Sequence, residues 1–241
     1  MKWIVVLLTS ASLAVTINAQ EKFREPAVVA ERRQQAIEKW ESEIVALEQL
    51  DRSEPDPDAP ILFVGSSSIR LWKQIKDDLA PWPVVRRGFG GATFCDLIVY
   101  ADRLLKPHDY RALVVFVAND ISGSKNANSV DRSPEDVFEM FRYFVQLARE
   151  QKPDQPIFFV SITPTSSRFH VWNQVNRANE LIRQYADTDK LIHFIDTRQY
   201  FFTSEGQPDD SLFVKDRLHL NRAGYQRWAS IIRSALERHL P

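Results

Sequence analysis

"ILFVGSSSIRLW" (residues 61–72) sets four apolar residues in an unbroken run, follows them with a glycine and three serines, and then continues in a helix-like pattern. A run with no polar face suits a strand covered on both sides, rather than one that alternates between core and water. Related apolar runs recur at 84–86 (VVR), 112–117 (ALVVFV), 157–161 (IFFVS) and 191–195 (LIHFI). Amphipathic stretches lie between them. From Pro134 to Gln151, Val137, Phe138, Phe141, Phe144, Val145 and Ala148 share a face, and Val171 to Ala186 shows a similar pattern. Strands alternating with helices predict an α/β domain built on a five-stranded parallel sheet with helices on both faces. The chain closes with "NRAGYQRWASIIRSALERHL", in which Asn221 can cap a helix carrying Tyr225, Trp228, Ile232 and Leu236 on one side.

Upstream of the first strand, residues 26–50 place Ile37, Trp40, Ile44 and Leu47 at steps of three and four, which predicts an amphipathic helix. The proline- and acid-rich "DRSEPDPDAP" (51–60) reads as the linker that breaks it. At the start, Lys2 precedes an apolar stretch from Trp3 to Ile17 that ends in Asn18-Ala19-Gln20. This reads as a signal peptide cut after Ala19, which implies an exported protein, periplasmic or secreted, with no stable membrane span after cleavage. The organisation expected is a signal peptide over 1–19, a helix and linker over 20–59, and one compact domain over 60–241.

The 31 basic and 32 acidic residues leave a formal charge of −1. No global charge draws the chain to nucleic acid or an anionic membrane. Cys95 is the only cysteine, so no internal disulfide forms, and it reads as a small buried apolar residue. The five histidines are far apart, with no pair at helical or finger spacing, so neither a metal nor a cofactor is expected.

In open parallel sheets, ligands meet the loops at the carboxyl ends of the strands. Those loops carry "GSSS", "GFGGAT", "AND" and "TPTSSRFH", and "DRLH" falls just before the last helix. A serine hydroxyl attacks at neutral pH only when an imidazole accepts its proton and a carboxylate holds that imidazole in the right tautomer. Asp216 and His219, three residues apart, can present both groups on one side of a turn. Taken alone, the serines suit a helix cap and Asp216 a turn cap. Asn119 offers a side-chain amide, and Gly91 a backbone N–H free of steric cover, to a developing oxyanion. Arg168, His170 and Trp172 are candidates for a pocket that recognises a polar acyl acceptor such as a sugar, or for an ordered loop over the core edge.

These blocks resemble the SGNH hydrolases of the GDSL esterase/lipase type over about residues 60–240. Gly65-Ser66-Ser67 stands where the family has Gly-Asp-Ser, Gly91 at its second block, Val117-Ala118-Asn119-Asp120 at Gly-x-Asn-Asp, and Asp216 and His219 at Asp-x-x-His. The resemblance implies a flavodoxin-like three-layer α/β/α sandwich, preceded here by the amphipathic helix, and looks like a bacterial exported subgroup. It also implies a Ser67–His219–Asp216 triad, with an oxyanion hole formed by the N–H groups of Ser67 and Gly91 and the Asn119 amide. The expected activity is cofactor-free hydrolysis of esters, with short acyl groups or acetylated polysaccharide as the leading substrates. A lysophospholipase or thioesterase would carry the same residues. The departures, Ser66 for Asp and Val117 for Gly, put a stiff β-branched side chain beside the oxyanion site and motivate a second expectation, a carbohydrate-binding module without turnover.

Overall fold

The structure, a computed structural model, describes residues 23–124 and 131–240; the expected signal peptide lies outside them. The elements run α1 (Ala27–Ser53), β1 (Ile61–Gly65), α2 (Ser67–Leu71), α3 (Ile75–Asp78), β2 (Val84–Gly88), α4 (Phe94–Val99), α5 (Ala101–Leu105), β3 (Ala112–Phe116), α6 (Pro134–Gln151), β4 (Ile157–Val160), α7 (Trp172–Ala186), β5 (Ile192–Ile195) and α8 (Arg222–His239). The five strands form one parallel sheet in the order β2-β1-β3-β4-β5, which is the flavodoxin-like order. In register, Ile61 sits between Val84 and Ala112, and Gly65 between Gly88 and Phe116.

Side-chain alternation along each strand divides the core in two. Leu62, Val64, Leu113, Val115, Ile157 and Phe159 face the side covered by α1, α4, α5, α6 and α7. Ile61, Phe63, Val114, Phe116, Phe158 and Val160 face the other side, where Trp72, Ile75, Trp228 and Ile232 of the α2–α3 segment and α8 cover them. Each large side chain buried completely, such as Phe144 or Phe158, contributes roughly 1.5–3 kcal/mol. Helix starts follow local chemistry. Ser133 and Asp136 close a capping box ahead of Pro134, and Thr93 and Asp96 do the same for α4.

The first helix continues through Ser53, three residues into the expected linker. It stops where Pro55 disfavours helical geometry at the preceding Glu54, whose φ is −122° and ψ 96°. Its apolar face meets α4 and the β2–α4 loop. Trp40 packs edge-on against Phe89 at 5.6 Å, and the Tyr100 hydroxyl reaches Glu41 at 3.2 Å. Arg103 of α5 donates to Glu48 at 2.6 Å and to Glu41 at 2.8 Å. Among the described residues no helix is long and apolar enough to cross a membrane.

Candidate active site

The end of β1 is pressed against β3. A Cβ at Gly65, whose φ is +139°, would lie 1.9 Å from the Phe116 carbonyl oxygen, so only glycine fits. The chain then turns into α2, with the Ser66 N–H donating to Phe116 O at 3.0 Å and the Ser66 carbonyl accepting from Ile69 at 3.0 Å and Arg70 at 3.1 Å. Ser66 occupies the cap position of α2 but makes no side-chain cap bond. Ser67 begins the helix, where its N–H has no intrahelical acceptor. Its Oγ lies 3.0 Å from His219 Nε2.

His219 is brought there by the loop that precedes α8. Val214 N–H donates to His219 O at 2.8 Å, and Phe213 and Leu220 form an antiparallel bridge. Arg217 takes the left-handed conformation, φ +53°, that closes the turn. Asp216 does two jobs. Its Oδ1 accepts the Leu218 and His219 backbone N–H groups, both at 2.9 Å, and its Oδ2 lies 2.7 Å from His219 Nδ1. With Nδ1–H donated to the carboxylate, Nε2 is an acceptor facing Ser67. Burial raises the Asp216 pKa, but the hydrogen bonds from the His219 ring and from the two backbone amides outweigh it and hold the carboxyl below its ordinary value. The turn is fastened to α8, because Asn221 accepts from Gly224 N–H at 3.1 Å and donates to Ser211 O at 2.7 Å. Tyr225 then donates from its hydroxyl to Ser68 O at 2.9 Å, joining α8 to the serine turn.

The end of β3 supplies Asn119. Its Nδ2 donates to Ala92 O at 3.0 Å, and its Oδ1 accepts from Arg168 Nη2 at 2.9 Å. Gly91 is adjacent, since a Cβ there would meet only Asn119 Nδ2, at 3.9 Å. The glycine loop is held from outside by α1. A Cβ on Gly90 would collide with the Trp40 ring at 1.9 Å, and the Gly90 N–H donates to Glu43 Oε2 at 2.8 Å. The expected crowding by Val117 is not found. Its side chain is fully buried in the core on the α4–α6 side, because it shares the strand face of Leu113 and Val115.

Asp120 is buried beneath this loop and accepts the Phe94 N–H at 3.1 Å. Burial pushes its pKa up to about 7; the Phe94 N–H acts against the rise, and the nearby Asp96 charge adds to it. A raised folded-state pKa means that, between the unfolded value of 3.8 and about 7, the native chain holds a proton that the unfolded chain has released. Stability therefore falls as pH rises through that window, by up to ~1.4 kcal/mol per unit. Asp120→Asn keeps an acceptor for Phe94 and cannot ionise, so its urea midpoints between pH 4 and 8 should lack this slope. Profiles that stay parallel to wild type would refute the assignment.

Between Ser67, Asn119 and His219 lies an open cleft of about 30 Å³, walled by apolar side chains such as Ile121, Ile162 and Val175. Arg168 and Trp172 line it. His170 does not: the short 3-10 helix Ser166–Val171 is broken at Arg168 (φ −123°, ψ 16°), and His170 is exposed with its Nε2 3.3 Å from Gly123 O. Trp72 belongs to the core, 5.4 Å from the Tyr225 ring and donating to Asp78 at 2.7 Å, while Arg70 is exposed. Cys95 is buried, and that burial pushes its thiol up to about 11. Among the described residues no three His, Cys, Asp or Glu side chains converge as metal ligands would. The supports from Arg168 to Asn119 and from Trp40 and Glu43 to Gly90 had no signal in the sequence.

Over residues 64–227 the chain matches the GDSL-like Lipase/Acylhydrolase family. It belongs to that family, and is a serine hydrolase acting on carboxylic esters. No curated protein matches it. Among solved structures, the fold is similar to a GDSL-like lipase from Bacteroides thetaiotaomicron, with a TM-score of 0.65 and 19% identity, covering 84% of this chain and 98% of that one. It is similar to the lipase/acylhydrolase from Enterococcus faecalis, with a TM-score of 0.59 and 16% identity over 76% and 97% of the two chains. A carbohydrate esterase family 3 protein from Talaromyces cellulolyticus gives a TM-score of 0.56 at 14% identity over 75% and 97%. Identities this low carry the fold alone.

Proposed function

We propose that Ser67, His219 and Asp216 hydrolyse short-acyl esters, with acetylated carbohydrate as the preferred substrate class. The observation that carries this is the pair of contacts from one imidazole, 3.0 Å to Ser67 Oγ and 2.7 Å to Asp216 Oδ2. Ser67 Oγ attacks the ester carbonyl as His219 Nε2 takes its proton, and Asp216 stabilises the imidazolium. The N–H groups of Ser67 and Gly91 and the second Asn119 Nδ2 hydrogen receive the oxyanion. Collapse expels the alcohol, which leaves with the proton from His219. Water then gives a proton to the same nitrogen, attacks the acyl-enzyme, and releases the acid as Ser67 regains its hydrogen. Ester and water become acid and alcohol.

The small apolar-walled cleft favours an acetyl group over a long chain. Trp172 on its wall, with the Phe202 ring 5.5 Å away edge-on, offers an aromatic face to a sugar ring. A structural neighbour named as a carbohydrate esterase points the same way. Export through the 1–19 segment would bring the enzyme to such substrates. Lysophospholipase and thioesterase activity use the same triad and demand more room for the acyl chain, and a non-catalytic carbohydrate-binding module would leave Ser67 unreactive.

A panel of acetyl, butyryl and octanoyl p-nitrophenyl esters, with acetylated xylan, separates these readings, and a fluorophosphonate probe reports Ser67 directly. Highest kcat/KM on acetyl esters and labelling at Ser67 are expected; preference for octanoyl would remove the short-acyl reading, and no labelling of folded protein would remove the enzyme. Asn119→Ala should lower kcat by ~10²–10³, and a near-normal rate would end its role as a donor.

A further inference from the structure

An asparagine amide offers a donor at one end and an acceptor at the other, and the wrong end turned toward a developing oxyanion would repel it. Something must hold Asn119 with its NH2 forward. Ala92 O takes one Nδ2 hydrogen at 3.0 Å and leaves the second for the substrate oxygen. At the other end Oδ1 accepts from Arg168 Nη2 at 2.9 Å, while Arg168 Nη1 donates to Ala118 O at 2.6 Å. A flipped amide would set its hydrogens against a guanidinium that has no acceptor, and its oxygen against a carbonyl. The two Arg168 bonds fall on consecutive residues of one strand end, so the planar fork fixes the amide and the backbone that carries it.

We infer that Arg168 is a positioning residue for ester hydrolysis, one that fixes Asn119 in the donor orientation. The inference rests on Asn119 being an oxyanion donor. Arg168 lines the same cleft as Ser67 and His219, and its fork is bonded to a carbonyl and an amide oxygen rather than to a carboxylate. Burial pulls its pKa below the ordinary value, yet arginine stays charged at neutral pH. The amide it orients serves the state in which negative charge appears on the substrate oxygen more than the neutral ester, so the loss of Arg168 falls on kcat more than on KM.

The test is a double-mutant cycle on the full chain, with p-nitrophenyl acetate as substrate: Arg168→Met, Arg168→Lys, Asn119→Ala and each Arg168 variant combined with Asn119→Ala. Arg168→Met should lower kcat by ~10–100-fold with KM within about twofold, and Arg168→Lys, with one donor head in place of a fork, should fall between it and wild type. In the Asn119→Ala background both Arg168 variants should lower kcat by less than about threefold, because the group they position is gone. If Arg168→Met does not fold, as judged by thermal melting, the Lys variant carries the same cycle. Unchanged kcat in the Arg168 single variants, or losses that multiply fully with that of Asn119→Ala, would overturn the positioning role while leaving the triad and oxyanion reading intact. A wild-type rate for Asn119→Ala alone would overturn both.

Discussion

Ser67→Ala should reduce kcat on p-nitrophenyl acetate by ~10⁶-fold, the scale seen when a serine hydrolase loses its nucleophile. The substitution removes one oxygen from a half-buried position at the start of α2. It leaves the backbone bonds of Ser66 to Phe116, Ile69 and Arg70 in place, so the melting temperature should barely move. Fluorophosphonate labelling should vanish together with turnover. The neighbours serve as internal controls. Ser66 and Ser68 are both buried, and Ser68 meets Tyr225 through its backbone carbonyl, so alanine at either should leave labelling at position 67. Turnover by Ser67→Ala within a hundredfold of wild type would dispose of the acyl-enzyme mechanism.

Asp216→Asn should cost ~10⁴ in kcat with the fold intact. The amide oxygen can still accept the Leu218 and His219 backbone N–H groups that shape the turn. Its NH2 then faces His219 Nδ1, so the imidazole is pushed into the tautomer that carries hydrogen on Nε2 and has no lone pair for Ser67. The carboxyl is held below its ordinary pKa, and it therefore stays ionised at pH values where other carboxylates begin to take up protons. The acid-side loss of activity in wild type should accordingly not track this carboxylate. Kinetics of the variant across pH 5–9 test both statements, and a loss under tenfold would show that the turn, and not the charge, is what Asp216 supplies.

The sheet could be read from the sequence because a parallel strand buried on both faces is apolar throughout, as in Ile61–Val64 and Leu113–Phe116. The Asp216–His219 contact was legible because it is made within one turn. What escaped is long-range or depends on a single dihedral angle. Arg168 and Asn119 are 49 residues apart, and Gly90 and Glu43 are 47 apart; such a contact leaves no periodic trace. Arg168 and His170 stood together as pocket candidates, and the break at Arg168 sends one into the cleft and the other to Gly123. Val117 was readable in principle. Strand alternation groups it with Leu113 and Val115 in the core, and its being β-branched matters to packing there.

The family match begins at residue 64, after α1 has ended. A fragment starting instead at Pro60, just ahead of β1, would strip the indole of Trp40 from Phe89 and Gly90 and leave the Gly90 amide without the Glu43 carboxylate. The loss would surface at the glycine loop beside Asn119, and it would also uncover the core face that Val29, Trp40 and Ile44 close. The leading helix thus braces the glycine loop of the candidate site, and the limits of the family match leave that brace outside.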